Sequence, residues 1–353
     1  MDTTISSSSR TLHTTDELLN ERLIDPADRR DIDEVSDVFA VAISPEMLDK
    51  IQREGPDSPV ARQFVPSPKE LNIIPEECSD PIGDAAYVPI KGITHRYPDR
   101  LLLIPIHSCA VYCRFCFRRE KVGPGEEYLK PEELEAALDY IRSKPDLREV
   151  ILTGGDPLVL SPRRIKYLMD QLNQIPNLDV IRFHTRIPVV APERVTDELI
   201  ESFDTDKITC VVLHVNHASE FGDNARAAIR KLRKAGIMLV AHSVLLKGVN
   251  NNADALTDLF RECVRNGVKP YYLHHCDLAE GTSHFRTTFE EGQELMRAIR
   301  GRVSGLAQPT YVLHIPDGHG KVPIGPSYLQ RSGEKWIVTD YKGQTHEYAL
   351  NGI

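Results

Sequence analysis

The sequence predicts an α/β protein built from repeated strand–helix units, and three observations point there. Short apolar, β-branched runs recur at residues 101–106, 150–153, 180–183, 210–215, 238–244 and 271–274. Amphipathic helical stretches lie between them, at 131–143, 163–172, 223–235 and 253–266. The runs read as buried strands, for which parallel pairing and right-handed crossovers are the default. A full barrel needs eight such units, so six over residues 101 to about 300 fit a partial barrel or an open doubly wound sheet equally well. Either way the chemistry belongs at the C-terminal ends of the strands.

Taken in order, residues 1–14 are Ser/Thr-rich and read as a flexible tail. Residues 15–94 alternate short charged helical stretches with breaks at Asp25-Pro26, Ser44-Pro45 and Ser67-Pro68, giving an N-terminal helical region with little core of its own. Residues 95–300 hold the strand–helix repeats, and 301–353 form a C-terminal extension. The helix expected from 131 opens on Pro131 with Glu132 and Glu133 in its first turn, where acidic side chains favour a helix N-terminus.

Composition narrows the class. The 353 residues carry a net charge of −9, which gives no reason to expect a nucleic acid or an acidic membrane surface as partner. The apolar runs at 101–106 and 237–241 fall far short of a membrane span of roughly 20 residues. The N-terminus has neither a basic start nor an apolar stretch, so no signal peptide is expected. Three of the seven cysteines lie within eight residues, which points to metal or redox chemistry in a reducing compartment. A cytoplasmic enzyme is the expectation.

That cluster follows the first strand of the repeats: Cys109, Cys113 and Cys116, spaced Cys-x3-Cys-x2-Cys. Thiolates are natural ligands of iron–sulfur cubes, and ferredoxin-type cubes take four. Three local thiolates leave one iron open to an external ligand, and an open iron does chemistry. The alternative is a structural zinc with His107 or a distant residue as fourth ligand. Such zinc motifs usually bring two separated pairs, a pattern missing here.

The spacing resembles the radical S-adenosylmethionine superfamily, and the surrounding residues resemble its lysine 2,3-aminomutase family. The likeness rests on His95-Arg96-Tyr97-Pro98-Asp99-Arg100, Phe117-Arg118-Arg119, Thr153-Gly154-Gly155-Asp156-Pro157-Leu158 and Asn216-His217. It continues through Ser243–Asn250, Cys276-Asp277-Leu278, His284-Phe285-Arg286-Thr287 and Gly318-His319-Gly320-Lys321, in family order over roughly residues 70 to 330. The resemblance implies a partial (β/α)6 TIM-like barrel with an N-terminal helical region and a C-terminal extension. It also implies an isomerase that moves an amino group from C2 to C3 with a 4Fe–4S cluster, S-adenosylmethionine and pyridoxal phosphate.

Carried over position by position, the resemblance assigns the cluster to Cys109, Cys113 and Cys116. Gly154, Gly155 and Asp156 would meet S-adenosylmethionine, with the glycines letting backbone come close. Lys321 would bond to pyridoxal phosphate, and Arg96 and Arg100 would meet its phosphate. Arg118 would pair with the substrate α-carboxylate and Asp277 with a distal ammonium. The implied partners are a small amino acid and an electron donor such as flavodoxin or ferredoxin, and a homo-oligomer is expected.

Three positions depart from the family. His314 stands where a second aspartate is usual, His242 replaces a glutamine and His274 replaces a tyrosine. Asp317, three residues beyond His314, could restore the missing charge. No cysteine follows Cys276, so the C-terminal zinc cysteines of some members are missing. The expected activity is L-lysine 2,3-aminomutase; the alternative is the same chemistry on another amino acid or on a lysine of translation elongation factor P.

Overall fold

All six expected strands form, and three more join them in one nine-stranded sheet ordered β1 to β9. The computed structural model describes residues 10–123, 128–333 and 335–348. Strands β2 (Arg100–Ile106), β3 (Glu149–Gly154), β4 (Val180–Thr185), β5 (Ile208–His214), β6 (Met238–Leu245), β7 (Lys269–His275) and β8 (Thr310–Ile315) pair in parallel. The edges are antiparallel: β1 (Ile93–Tyr97) on β2 and β9 (Gly320–Pro323) on β8. A Cβ on Gly320 of β9 would lie 2.9 Å from the Tyr97 hydroxyl of β1, so the two edges curl toward each other. The sheet is a partial barrel, and its inward side chains line a cavity.

The crossover helices form where amphipathic periodicity places them, at Pro131–Arg142, Pro162–Asn173, Asp223–Lys234 and Ala253–Arg265. Each buries one apolar stripe; Ile165, Leu168, Met169 and Leu172 in the second are an example. Along the strands successive side chains face opposite sides of the sheet. Val150 and Leu152, Ile181 and Phe183, and Leu239 and Ala241 join the main apolar core with the helices. The intervening residues face the barrel interior. Cys210, Val212 and Val240, with Val180 and Tyr271 against them, form a separate apolar plug.

The region beyond residue 300 is not a separate extension at its start. β8 and β9 complete the barrel sheet, and only β10 (Leu329–Ser332), β11 (Lys335–Thr339) and β12 (Thr345–Tyr348) form a sheet of their own. The tail expectation also needs revision over residues 10–14. Leu12 is buried and bridged to Ile43, and the Thr14 hydroxyl accepts from the Glu17 amide as a helix cap. Residues 1–9 lie outside the described residues. The N-terminal helical region indeed has little core of its own: Leu18, Met47, Ile51 and Phe64 belong to the same apolar cluster as the barrel strands.

The turn after β3 explains two glycines. Gly154 has φ +105, and its Cβ would stand 2.2 Å from the Ile104 side chain. A Cβ on Gly155 would stand 2.3 Å from the Ser108 carbonyl oxygen. Gly154 thus admits a side chain of β2, and Gly155 admits the backbone of the loop after it. Gly155→Ala should therefore destabilise the fold by about 2 kcal/mol or more in urea unfolding. Gly305→Ala, with nothing within 4 Å of the added carbon, should change it by less than about 0.5 kcal/mol.

Candidate active site

The cavity inside the barrel measures about 490 Å³ and is lined by residues of strands β1 to β9 and of the loop after β2. Every site candidate read from the sequence lines it: Cys109, Cys113, Cys116, Arg96, Arg100, Arg118, Gly154, Gly155, Asp156, Asp277 and Lys321. Asp317 does not line it. It sits with φ +58 in the exposed turn between β8 and β9, so the expected charge replacement for His314 does not reach the site.

The cysteine loop has little regular structure, and side chains hold it in place. Arg114 is fully buried and reaches the equally buried Glu70 through Nε at 2.9 Å and Nη2 at 2.6 Å, while its Nη1 donates to the Ala40 carbonyl. Arg119 donates to the same Glu70 carboxylate and to the Gly281 carbonyl. On the far side Arg186 donates to the Cys113 sulfur at 2.9 Å and is fixed by Glu220 at 2.8 Å and Gln63 at 2.5 Å. Burial pushes the Cys116 thiol up to about 11 and the Cys109 thiol well above its ordinary value, the latter helped by Asp156. These thiols give up their protons only to a cation that takes over their charge, and three facing one cavity suit an iron–sulfur cube.

Asp156 is spent inside the protein. Its Oδ1 accepts from the Thr185 hydroxyl and the Leu158 amide, and its Oδ2 from the Arg186 amide. Its carboxylate therefore ties β3 to the end of β4, at the cavity wall. Gly154 and Gly155 owe their lack of a side chain to the loop packing described above.

Arg96 and Arg118 meet on a residue the sequence reading passed over. Asp84 Oδ1 accepts from Arg96 at 3.0 Å and Oδ2 from Arg118 at 2.7 Å. Arg100 stacks on Tyr97 and pairs with Asp99. Deeper in the barrel Arg182 pairs with Glu149 across β4 and β3. Lys321 lies near the Tyr272 ring, its accessible surface facing the hollow of the barrel. Burial lowers the Lys321 amine to about 8, with Arg182 and Arg100 adding to the effect and Asp277 opposing it. An amine so lowered is a better nucleophile at neutral pH than a surface lysine.

A wall of imidazoles completes the cavity. His184, His214, His242, His274 and His314 come from five successive strands, with the first three ligand atoms within 4.8 Å of one another. Burial, and then neighbouring charge, holds His184, His242 and His274 well below the ordinary range and brings His214 to about 3, so these rings are neutral. Arg182, Arg118 and Lys321 are among those neighbours and oppose a metal dication at the triad. Nε2 of His184, His214 and His242 and Nδ1 of His274 are buried without a hydrogen-bond partner. Such groups each cost about 1–3 kcal/mol unless a polar ligand meets them, so the wall fits a ligand rich in hydroxyl, amine and ring-nitrogen groups. His314 donates from Nδ1 to Asp277 Oδ1 at 3.0 Å and stacks on His274.

The sequence carries the same identity as this geometry. The profile of the radical SAM superfamily matches residues 103–260, and that described as lysine-2,3-aminomutase matches 296–350. The L-lysine 2,3-aminomutase of Acetoanaerobium sticklandii is 36% identical over 96% of this chain and 82% of its own length. The chain belongs to the lysine 2,3-aminomutase family. It is a radical SAM aminomutase, an isomerase, and the superfamily implies a 4Fe–4S cluster and S-adenosylmethionine. The L-lysine 2,3-aminomutase of Clostridium subterminale is 37% identical over 88% of this chain and 74% of its own. The family also includes a glutamate 2,3-aminomutase, from Clostridioides difficile, 36% identical over 87% of this chain and 72% of its own. Among the described residues no helix is long and apolar enough to cross a membrane.

Sequence reasoning missed Glu70, Asp84, Arg182, Arg186, His184 and His214 in this aminomutase site. The histidines left a signal: His184, His214, His242 and His274 each stand at or just before the end of an apolar strand run, on its inward phase. Glu70 and Asp84 left none, because both lie outside the repeats.

Glu70→Gln removes the charge shared by two buried arginines. It should lower stability by about 3–5 kcal/mol in denaturant unfolding. Faster amide exchange over the cysteine loop should accompany the loss, and a variant as stable as the parent would contradict the clamp.

Proposed function

We propose that this aminomutase acts on free L-lysine, moving its amino group from C2 to C3 to give β-lysine, and that it uses pyridoxal phosphate besides the cluster and S-adenosylmethionine. The observation that carries the substrate is the state of Asp277. Of the cavity's four carboxylates, Asp84 is shared by two arginines, Glu149 is paired with Arg182, and Asp156 is consumed by Thr185 and backbone amides. Among the described residues the Asp277 side chain is hydrogen-bonded to the His314 imidazole alone, with no arginine or lysine ion-paired to it. Its carboxylate charge suits a distal ammonium. A distal carboxylate, as on glutamate, would meet it with like charge.

The chain's own groups divide the work. Cys109, Cys113 and Cys116 hold the cluster, and the Arg186 N–H at Cys113 stabilises negative charge on that sulfur. Arg118, with N–H groups beyond the one on Asp84, grips the α-carboxylate and so aims the β-carbon. Asp277 holds the other end, and the two contacts together fix the length of the amino acid. Lys321 bonds to pyridoxal phosphate, while Arg96 and Arg100 face its phosphate; Arg forks suit that geometry. When bound, the cluster and S-adenosylmethionine supply one-electron hydrogen abstraction, and pyridoxal phosphate supplies a π-system that spreads unpaired spin during the migration. The barrel walls exclude water from both. The electron comes from a donor of the flavodoxin or ferredoxin kind.

The decisive experiment is anaerobic reconstitution followed by product analysis over a panel of amino acids. L-Lysine should be converted fastest; a rate on any other amino acid tenfold higher would overturn the substrate while leaving the reaction class. Asp277→Asn should raise the KM for lysine by about 30-fold or more, the usual consequence of removing one partner of a partly buried charge pair.

Lys321 gives a prediction with its own pH signature. Only the neutral amine attacks an aldehyde, so the rate of covalent pyridoxal phosphate attachment should climb with pH and level off above about 8. Stopped-flow absorbance follows it directly. Lys321→Ala should show no such chromophore, and a variant that keeps it would move the role to another lysine.

A further inference from the structure

We propose that Asp84 is a positioning residue that fastens Arg96 and Arg118 together, so that the phosphate-binding and carboxylate-binding arginines act as one rigid unit. The proposal rests on the functional reading given above for those two arginines.

Asp84 is 8% exposed and gives one carboxylate oxygen to each guanidinium. The two arginines come from different parts of the fold, Arg96 from β1 and Arg118 from the cysteine loop. Without a shared carboxylate two neighbouring guanidiniums repel, and a long arginine arm in a cavity has several rotamers available. Asp84 removes both problems with one side chain. Each arginine uses a single Nη2 on it; Arg96 Nη2 also donates to the Ile82 carbonyl at 2.7 Å, and Arg96 Nε is buried without a partner. Donors therefore remain on both forks for an incoming anion.

Asp84 is itself held firmly. The Asp80 carboxylate accepts the Asp84 amide at 2.9 Å and the Ala85 amide at 2.8 Å. The neighbouring Gly83 is wedged against the turn before Lys321: a Cβ there would stand 2.2 Å from the Gly318 nitrogen. Tyr87, from the same segment, packs against Gly318 and beneath the Arg96 guanidinium. Residues 80–87 thus touch the arginine for the phosphate, the arginine for the carboxylate and the turn that carries the lysine. A fixed spacing among these three sets where the amino acid lies relative to the ring that Lys321 holds.

Asp84→Asn keeps the shape and loses the charge, and its amide NH2 faces one guanidinium donor to donor. The test uses the full-length, cluster-loaded protein, with iron content as the check on folding. Affinity for pyridoxal phosphate, read from the absorbance of the bound ring, should fall roughly tenfold or more, while affinity for pyridoxal, which lacks the phosphate, should change by less than about twofold. The KM for L-lysine should rise roughly tenfold, with kcat falling less. The double variant Asp84→Asn/Arg118→Ala should have the KM of Arg118→Ala alone, because Asp84 acts through that arginine. Asp84→Glu, which keeps the charge, should recover at least part of the phosphate preference, and it decides the matter if the Asn variant fails to hold iron. Equal losses for pyridoxal and its phosphate, a Glu variant without recovery, or additive effects in the double variant would overturn the proposal. So would tighter anion binding by Asp84→Asn, which would make Asp84 a mask over the arginines. If Arg118→Ala leaves the KM unchanged, it is the functional reading of Arg118 that fails.

Discussion

A fully buried carboxylate, Glu70, carries two arginines from the cysteine loop, and the order of that loop depends on it. A loop that presents three thiols to a cavity cannot also spend its backbone on a helix or strand. Its position must then come from side chains anchored in something rigid. Arg114 and Arg119 flank the last cysteine and run to Glu70, while Cys113 meets Arg186, itself gripped by Gln63 and Glu220. Glu70 and Gln63 both belong to the N-terminal region. That region is therefore a bracket for the thiols, which explains why it has helices but shares the core of the barrel. Buried ion pairs of this kind add little net stability over apolar packing. Their value here is geometric.

The barrel interior poses the opposite problem, since it must stay open. Some inward positions carry apolar side chains as in a filled barrel, most densely at the plug of Cys210, Val212 and Val240. Beyond the plug Leu102, Ile151 and Val244 share the cavity wall with charged side chains, histidines and tyrosines. Six cationic side chains against four carboxylates line the cavity, so its field favours anionic ligands such as a phosphate and a carboxylate. His184, His214, His242 and His274 contribute hydrogen-bonding capacity without charge, because burial and the surrounding cations keep them neutral. The cavity can thus be polar enough for two cofactors without adding to a positive surplus that already disfavours the substrate's ammonium.

Much of this was legible in the sequence, and what was not has a common cause. The strand at 150–153 and the helix at 131–143 are local patterns, set by apolar period and by Pro131 with its acidic first turn, and both formed within a residue or two. The cysteines were legible for the same reason: their spacing is local. β8 was passed over because only Tyr311, Val312 and Leu313 separate Thr310 from His314, a run too short to stand out without its neighbour β7. Gly154 and Gly155 were read as making room for a ligand, and a second reason for them, the Ile104 side chain and the backbone at 107–108, is visible only in the fold. The bonds from Asp156 to Thr185 and Arg186 were hidden because nothing in its own neighbourhood reveals those partners. The arginines that Asp84, Glu70 and Glu220 hold are distant in sequence, and single-sequence patterns hold no trace of such pairs.

The three departures from the family pattern are one event in space. His242 lies edge-on to His274 at 4.8 Å, and His274 stacks on His314 at 5.0 Å, with His314 bonded to Asp277. A lone exchange of an aspartate for His314 would set a flat ring against whatever had packed around a small carboxylate. With imidazoles at all three positions the rings pack face and edge against one another, a geometry aromatic pairs favour. The exchange alters charge at one point only: the distal end keeps a single fixed carboxylate, now braced by an N–H donor. On the proposed function, recognition of the far end of the substrate falls on Asp277, and the length of the accepted amino acid is set by the span from that carboxylate to Arg118. Because Arg118 is fastened through Asp84 to the segment bracing the Lys321 turn, that span is built into the barrel before any ligand enters.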